Sequence, residues 1–218
     1  MPATKVMIIE DHPIFSKGLA QLINVQKVYT VVGEAQNHAQ AMEILTREQP
    51  ELAIVDLNLG DEDGLDVIKD MHTVNPSLVI LVLSMHDERY YAERALKAGA
   101  RGYIMKEEAG NQVIDAIKTV LAGKIWLSDS ERQREEENNI SFDGKKDISV
   151  DDNISSLSDR QLQIFTLIGK GLGTVEIAAK LNLSTKTIDT HKEHIKIKLH
   201  CNTSQELRQL AIEWTSRR

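Results

Sequence analysis

The sequence of 218 residues contains a single cysteine, Cys201, and no apolar run that approaches the roughly 18 residues of a membrane-spanning helix. One cysteine excludes an intrachain disulfide and a cysteine cluster for zinc, and we expect Cys201 to be a small packing residue. No basic segment leads into a long apolar run at the N-terminus, so no secretory signal is recognisable. These absences predict a cytoplasmic protein without a membrane anchor.

The formal net charge of -7 argues, over the whole chain, against a partner made of nucleic acid. The distribution of charge argues the other way. Residues 1–127 carry 12 basic and 18 acidic side chains (net -6), residues 128–154 carry 4 and 9 (net -5), and residues 155–218 carry 10 and 6 (net +4). A basic module behind an acidic one is typical of nucleic-acid-binding regulators. We therefore predict a domain over 1–127, a linker over 128–154 and a second domain over 155–218.

Apolar runs alternate with helical patterns throughout the first 127 residues. The clearest run, residues 52–57, contains Asp56 near its end and is followed at once by the turn residues Asn58 and Gly60. Five strands that alternate with five helices predict an α/β fold with a doubly wound, five-stranded parallel sheet. The predicted strands cover residues 5–9, 29–32, 52–57, 78–83 and 103–105, and the predicted helices cover 13–25, 39–47, 65–72, 88–98 and 111–121.

Polar residues follow these strands at their carboxyl ends, which lie at one edge of a parallel sheet, where ligands bind in this class of fold. Three carboxylates in one cleft repel one another, and a hard divalent cation such as Mg²⁺ removes that cost. A lysine and a hydroxyl can hold an anion beside them. This set suits an aspartate that attacks phosphorus with the help of Mg²⁺. The residues are Glu10, Asp11, Asp56, Ser84 and Lys106.

The first domain resembles the receiver domain of bacterial two-component response regulators, which has the flavodoxin-like strand order 2-1-3-4-5. The resemblance covers residues 5 to about 123. The motifs that carry it are Glu10-Asp11, Asp56, Asp63-Gly64, Ser84 and the segment from Gly102 to Lys106.

This resemblance implies that a sensor histidine kinase transfers a phosphoryl group to Asp56. It implies Mg²⁺ held by Glu10 or Asp11, by Asp56 and by the main-chain carbonyl of Asn58. It also implies that Lys106 binds the phosphoryl group, together with a switch pair formed by Ser84 and Tyr103. The new phosphate brings about -1.5 to -2 charges. Ser84 would be drawn towards it, and Tyr103 would turn inward into the vacated space.

The segment 128–154 is acidic and poor in large apolar residues, as the run from Glu131 to Glu137 illustrates. Low hydrophobicity and high charge predict a flexible linker. A second hypothesis from the same charge count is that the acidic run shields the basic domain until activation.

The last 64 residues show four helical patterns. Ser158 and Gln161 stand at the spacing of a capping box that opens the first helix. Residues 174–181 and 185–199 form the second and third helices, joined by a three-residue turn, which is the arrangement of a helix-turn-helix. Apolar positions in the third helix include Ile188, Ile195 and Ile197. Ser204 is expected to cap the fourth.

This all-α domain resembles the LuxR-type output domain, and the whole architecture resembles the NarL/FixJ class of response regulators. The resemblance implies that residues 185–199 enter the major groove of double-stranded promoter DNA. His191 stands where the family has an internal histidine. Asp189 departs from the basic residue of many relatives, which either lowers non-specific affinity or provides an acceptor for a cytosine amino group. We expect Lys186, Thr187, Lys192 and Lys196 to face DNA and Thr190 and His194 to read base edges.

The combined prediction is a phosphorylation-controlled, DNA-binding transcriptional regulator that acts as a homodimer, with dimer contacts near Leu207 and Leu210 of the fourth helix. Two alternatives remain. A phosphohydrolase would need an acid two residues after the nucleophile, and Asn58 cannot serve as a general acid, so we predict that the chain is not an enzyme. A phosphorylation-independent regulator would use its receiver only as a dimerisation module.

Overall fold

A computed structural model of the chain describes residues 2–60, 62–85, 88–129, 154 and 156–216. The chain divides into two compact units, Met1–Phe142 and Asp143–Arg218. Of the predicted linker, residues 130–153 lie outside the described residues, and so does the acidic run proposed to shield the second domain. Within the part of the chain that the structure describes, no helix has the length and apolar character needed to cross a membrane.

The first unit is built on a five-stranded parallel sheet with helices between the strands. Its order, β2-β1-β3-β6-β7, confirms the predicted 2-1-3-4-5 topology once the two shortest strands are set aside. The strands are β1 Thr4–Ile9, β2 Tyr29–Ala35, β3 Leu52–Val55, β4 Asn58–Leu59, β5 Glu62–Asp63, β6 Val79–Ser84 and β7 Gly102–Met105, and the helices are α1 Pro13–Asn24, α2 His38–Glu48, α3 Gly64–Val74, α4 Glu88–Ala98 and α5 Ala109–Leu121.

The centre of this sheet is apolar on both faces, which explains why β3 is an unbroken apolar run and not an alternating one. All four residues of β3 are buried, and β1 and β6 flank it in parallel register. The burial of β3 fixes Asp56 at the carboxyl edge of the central strand. The antiparallel pair β4–β5 was not predicted, because two-residue strands carry no periodic signal.

Between residues 156 and 216, the second unit has four helices around an aromatic and aliphatic core. The helices are α6 Asp159–Gly169, α7 Thr174–Lys180, α8 Thr185–Lys198 and α9 Ser204–Ser216. The rings of Phe165 and Trp214 lie 5.6 Å apart between centroids and join α6 to α9. Ile154, predicted to belong to the linker, is buried at 4% exposure.

One of the two predicted helix caps of this unit is confirmed, and the other lies one residue away from the predicted position. Ser158 and Gln161 form the predicted capping box at α6. At α9 the side chain of Thr203, and not Ser204, accepts a hydrogen bond from the backbone N–H of Glu206 (3.1 Å). Ile197 was expected to face inward, but its side chain is 70% exposed.

Candidate phosphoacceptor site and nucleic-acid interface

Asp56 is held at the carboxyl end of β3 by its own backbone. Its N–H donates to the carbonyl oxygen of Ile9 at the end of β1 (2.9 Å), which continues the sheet by one residue beyond β3. The side chain is buried at 2% exposure, and its Oδ1 accepts a hydrogen bond from the N–H of Asn58 (3.1 Å). The carboxylate therefore has a fixed position at the sheet edge where ligands bind.

Lys106 bridges two of the predicted carboxylates. Its Nζ lies 2.7 Å from Oδ2 of Asp56 and 2.6 Å from Oε2 of Glu10. Its backbone N–H donates to the carbonyl oxygen of Ser84 (2.8 Å), so the lysine is anchored to β6 as well as β7. The Nζ also lies 4.8 Å from the ring centroid of Phe15. The structure thus brings Glu10, Asp56, Ser84 and Lys106 together.

Burial raises the pKa of Asp56 to about 6, although the charge of Lys106 acts to lower it. The negative charge of Glu10 adds to the rise. Burial acts to lower the pKa of Lys106, but the carboxylates of Asp56 and Glu10 outweigh it and raise that pKa overall. At neutral pH the site therefore holds a charged lysine between carboxylates, with Asp56 ionised and able to act as a nucleophile.

The acidic cluster fits a divalent cation. One ligand atom from each of Glu10, Asp11, His12 and Asp56 lies within 4.8 Å of the others. Oδ1 of Asp11 is buried and accepts no hydrogen bond from any described residue; the Nδ1 of His12 lies 2.8 Å from it as an ion-pair contact. Carboxylate oxygens are the ligands that Mg²⁺ prefers. His12 was not predicted as part of this cluster, although its place directly after Glu10-Asp11 was a signal for it.

The predicted switch residues lie on neighbouring strands. Ser84 ends β6 and is fully buried, and Tyr103 on β7 is 1% exposed. The two strands pair in parallel, with Val82 opposite Tyr103 and Ser84 opposite Met105. The structure therefore holds Tyr103 in the inward position.

The Asp63-Gly64 motif has a structural role beside the site. Oδ1 of Asp63 accepts a hydrogen bond from the N–H of Leu65 (3.1 Å) and caps α3. A Cβ at Gly64 would lie 2.5 Å from Cα of Leu57 and 2.7 Å from the carbonyl oxygen of Asp56. Only glycine allows α3 to begin this close to the backbone that carries the phosphoacceptor candidate.

The predicted DNA-facing residues all lie on α8, but they differ in exposure. Lys186, Thr190 and His194 are exposed, and Thr187, Lys192 and Lys196 are half-buried. Two of the half-buried side chains have partners within this unit. Nζ of Lys192 donates to Oγ1 of Thr174 on α7 (2.5 Å), and Nζ of Lys196 lies 2.9 Å from Oε1 of Glu193.

Thr187 and His191 support the helix itself. Oγ of Ser184 accepts a hydrogen bond from the N–H of Thr187 (3.0 Å), which caps α8. His191 is half-buried, and its Nδ1 has no hydrogen-bond partner among the described residues. Burial lowers the pKa of His191, and the charges of Arg160 and His194 lower it further.

Leu207 and Leu210, the predicted dimer contacts, occupy different environments. Leu207 is 2% exposed, because it packs into the core of the second unit. Its side chain is not on a surface, which corrects the prediction for this residue. Leu210 is half-buried on α9 and reaches the surface.

Family models match both units of the chain. The model of the response regulator receiver domain matches residues 6–118, and the model of the bacterial regulatory proteins of the luxR family matches residues 155–211. The chain is a response regulator with a LuxR-type output domain. The predicted family is confirmed, and the two units are its receiver domain and its output domain.

Relatives and solved structures extend the similarity over nearly the whole response regulator. Oxygen regulatory protein NreC of Staphylococcus carnosus is 33% identical over 210 residues, which are 96% of this chain and 97% of that protein. The RcsB response regulator of Salmonella typhimurium is 27% identical, with a TM-score of 0.57 and coverage of 96% and 98%. A complex of RcsB with DNA gives 26% identity, a TM-score of 0.57 and coverage of 95% and 97%.

Proposed function

We propose that phosphorylation of Asp56 by a sensor histidine kinase controls the binding of promoter DNA by the output domain. The observation that carries this proposal is the double contact of Lys106 with Asp56 and Glu10 at the carboxyl edge of the sheet. A buried lysine between two carboxylates is a ready partner for the oxygens of an incoming phosphoryl group.

In the phosphotransfer step, a carboxylate oxygen of Asp56 forms a bond to phosphorus as the bond from phosphorus to the kinase histidine breaks. The carboxylate is ionised at neutral pH, because its pKa is about 6. Lys106 stays charged and offsets the negative charge that gathers on the phosphoryl oxygens. Glu10, Asp11, Asp56 and the main-chain carbonyl of Asn58 would hold Mg²⁺, which supplies further neutralisation of those oxygens when bound.

The signal then passes through Ser84 and Tyr103. The hydroxyl of Ser84 is drawn to the new phosphate and hydrogen-bonds it, and the space that Ser84 leaves favours the inward position of Tyr103. A local charge thus selects one of two arrangements of the β6 and β7 ends. The acidic linker, predicted over 128–154, joins this switch to the output domain.

The output domain binds DNA through α8 in the major groove. Lys186, Lys192 and Lys196 contact phosphates, Thr187 faces the DNA from the first turn of the helix, and Thr190 and His194 reach base edges. Two copies pair through α9 near Leu210, and a two-fold dimer reads half-sites spaced by about one helical turn. The solved complex of the similar RcsB with DNA supports the part of this proposal that the chain binds DNA.

Retention of genomic DNA fragments tests the proposal. The full-length protein is compared with and without beryllofluoride, which stands in for the phosphoryl group, in buffer with Mg²⁺. We expect retention to rise with beryllofluoride in the wild type and in the control Asp66→Asn, whose carboxylate is exposed on α3. The Asp56→Asn variant should not respond. Strong and equal retention under all conditions would favour the alternative, a phosphorylation-independent regulator whose receiver only dimerises.

A further inference from the structure

The exposed residues of α8 form a single stripe. With 3.6 residues per turn, the buried Ile188, Ile195 and Leu199 mark the inner side of the helix. Four residues lie within about 40° of the opposite direction, at spacings of four, three and four residues. We call this set the outward stripe of α8, and all four members are exposed: Lys186, Thr190, Glu193 and Ile197.

The described residues of the output domain leave all four members of the outward stripe exposed. Ile197 is 70% exposed although it is a large apolar residue. It is the member of the stripe that points most directly away from the buried face of the helix. In a helix that lies in the major groove, the outer face lies against the DNA, and its side chains reach base edges or phosphates.

Asp189 does not belong to the outward stripe. It lies on the flank next to α7, where its Oδ1 is 3.5 Å from Oγ1 of Thr174. The same Thr174 hydroxyl accepts from Nζ of Lys192 (2.5 Å). Asp189 therefore belongs to a small network between α7 and α8, and it is not the carboxylate that faces the bases.

Glu193 is the carboxylate of the outward stripe, on the side of the stripe that is nearer to Asp189. Its side chain is 64% exposed, and its Oε1 pairs with Nζ of Lys196 at 2.9 Å. A carboxylate placed against phosphates would be repelled, but the adjacent Lys196 can turn to a phosphate and leave Glu193 in the groove. A carboxylate only accepts hydrogen bonds. In the major groove, cytosine presents only a hydrogen-bond donor, its 4-amino group. Guanine presents acceptors, and thymine presents an acceptor and a methyl group. Adenine presents an acceptor beside its donor.

We propose that Glu193 is a specificity-determining residue that accepts a hydrogen bond from the 4-amino group of a cytosine in each half-site. This inference rests on the proposed function of α8 as the DNA-reading helix. It goes beyond that function because it names the base and the residue that selects it.

Selection of binding sites from a random duplex library tests the proposal. The full-length protein is used with Mg²⁺ and beryllofluoride, as wild type, as Glu193→Gln and as the control Glu213→Gln on the exposed side of α9. Glutamine has the shape of glutamate but pairs with adenine. We expect Glu193→Gln to replace one cytosine per half-site by adenine, with a preference changed by about 5- to 150-fold. The control should select the wild-type site.

The outcomes separate this inference from the function on which it rests. If the wild-type protein retains no duplex, both the proposed DNA-binding function and the role of Glu193 are overturned. A wild type that selects a site, with Glu193→Gln selecting the same cytosines, overturns only the role of Glu193. If Glu193→Gln does not bind, Glu193→Ala decides the matter. Loss of the cytosine preference at that one position, with the rest of the site unchanged, supports the role, and retention of the preference overturns it.

Discussion

The Nζ atom of Lys106 lies 2.7 Å from Oδ2 of Asp56, and this contact joins the edge strand of the receiver sheet to its central strand. Both side chains are nearly inaccessible, at 7% and 2% exposure. The pair is therefore both a structural tie and the chemical centre of the site, and the two roles can be tested separately.

Replacement of Lys106 by methionine should destabilise the receiver domain. Without the ammonium group, Asp56 and Glu10 lose their shared buried partner, and breaking a buried pair costs about 3 kcal/mol of unfolding free energy. Urea unfolding at pH 7.5 with EDTA measures the change. The control is Lys97→Met, because Lys97 forms an exposed ion pair with Glu93 that contributes little. Equal stability of the two variants would contradict the structural role of Lys106.

Replacement of Gly64 by alanine should lower the melting temperature of the receiver domain. The added Cβ would stand 2.5 Å from Cα of Leu57, and the backbone at the start of α3 would have to move away from Asp56. We expect a loss of about 2 kcal/mol or more, typical of overpacking against a rigid neighbour. Gly110→Ala is the matched control, because no atom lies within 4 Å of a Cβ there. That helical position should be neutral or slightly stabilised.

The stability of the output domain should fall in acid through His191. Its pKa in the folded protein lies below the usual value of 6.5, because burial disfavours the charged ring. Well above pH 6.5 the ring is neutral in both the folded and the unfolded protein, so His191 does not change the stability there. As the pH falls below 6.5, the unfolded chain binds a proton that the folded chain does not, so stability is lost down to the lowered pKa.

The variant His191→Gln removes this linkage. Unfolding can be followed through Trp214 in a Trp126→Phe background, so that the signal comes from the output domain. Between pH 8 and pH 5 the variant should lose less stability than the parent. Identical losses in both proteins would assign the acid sensitivity to other groups.

Replacement of Lys186 by alanine should weaken DNA binding by a similar factor for every sequence tested. A lysine on a phosphate contributes through counterion release, so the slope of log K against log salt concentration should fall in magnitude by about 1. Lys118→Ala is the control, because Lys118 is exposed on α5 of the receiver and pairs with Asp115. A change in sequence preference with an unchanged salt slope would make Lys186 a base reader instead.

The sequence by itself determined the receiver topology and predicted most of the residues of the candidate site. The carboxyl ends of parallel strands lie at one edge of the sheet, so polar residues that directly follow the apolar strands come together there. Glu10, Asp56 and Lys106 are such residues. The capping box of Ser158 and Gln161 could also be predicted from the sequence, because it depends on two residues only three positions apart. Periods of two and 3.6 residues, caps and turns are properties of short segments, which is why they can be recognised without the rest of the molecule.

The tertiary structure decided which side chain meets which. Only the packed sheet makes Lys106 the shared partner of two acids, and only the four-helix core hides Leu207 while Ile197 stays exposed. Helical spacing predicts which apolar residues share a face of a helix. The packing of the neighbouring helices decides which of those residues become buried. The same packing places Glu193 in the outward stripe of α8 and Asp189 on its flank, because the direction of the buried face is set by contacts between helices distant in sequence.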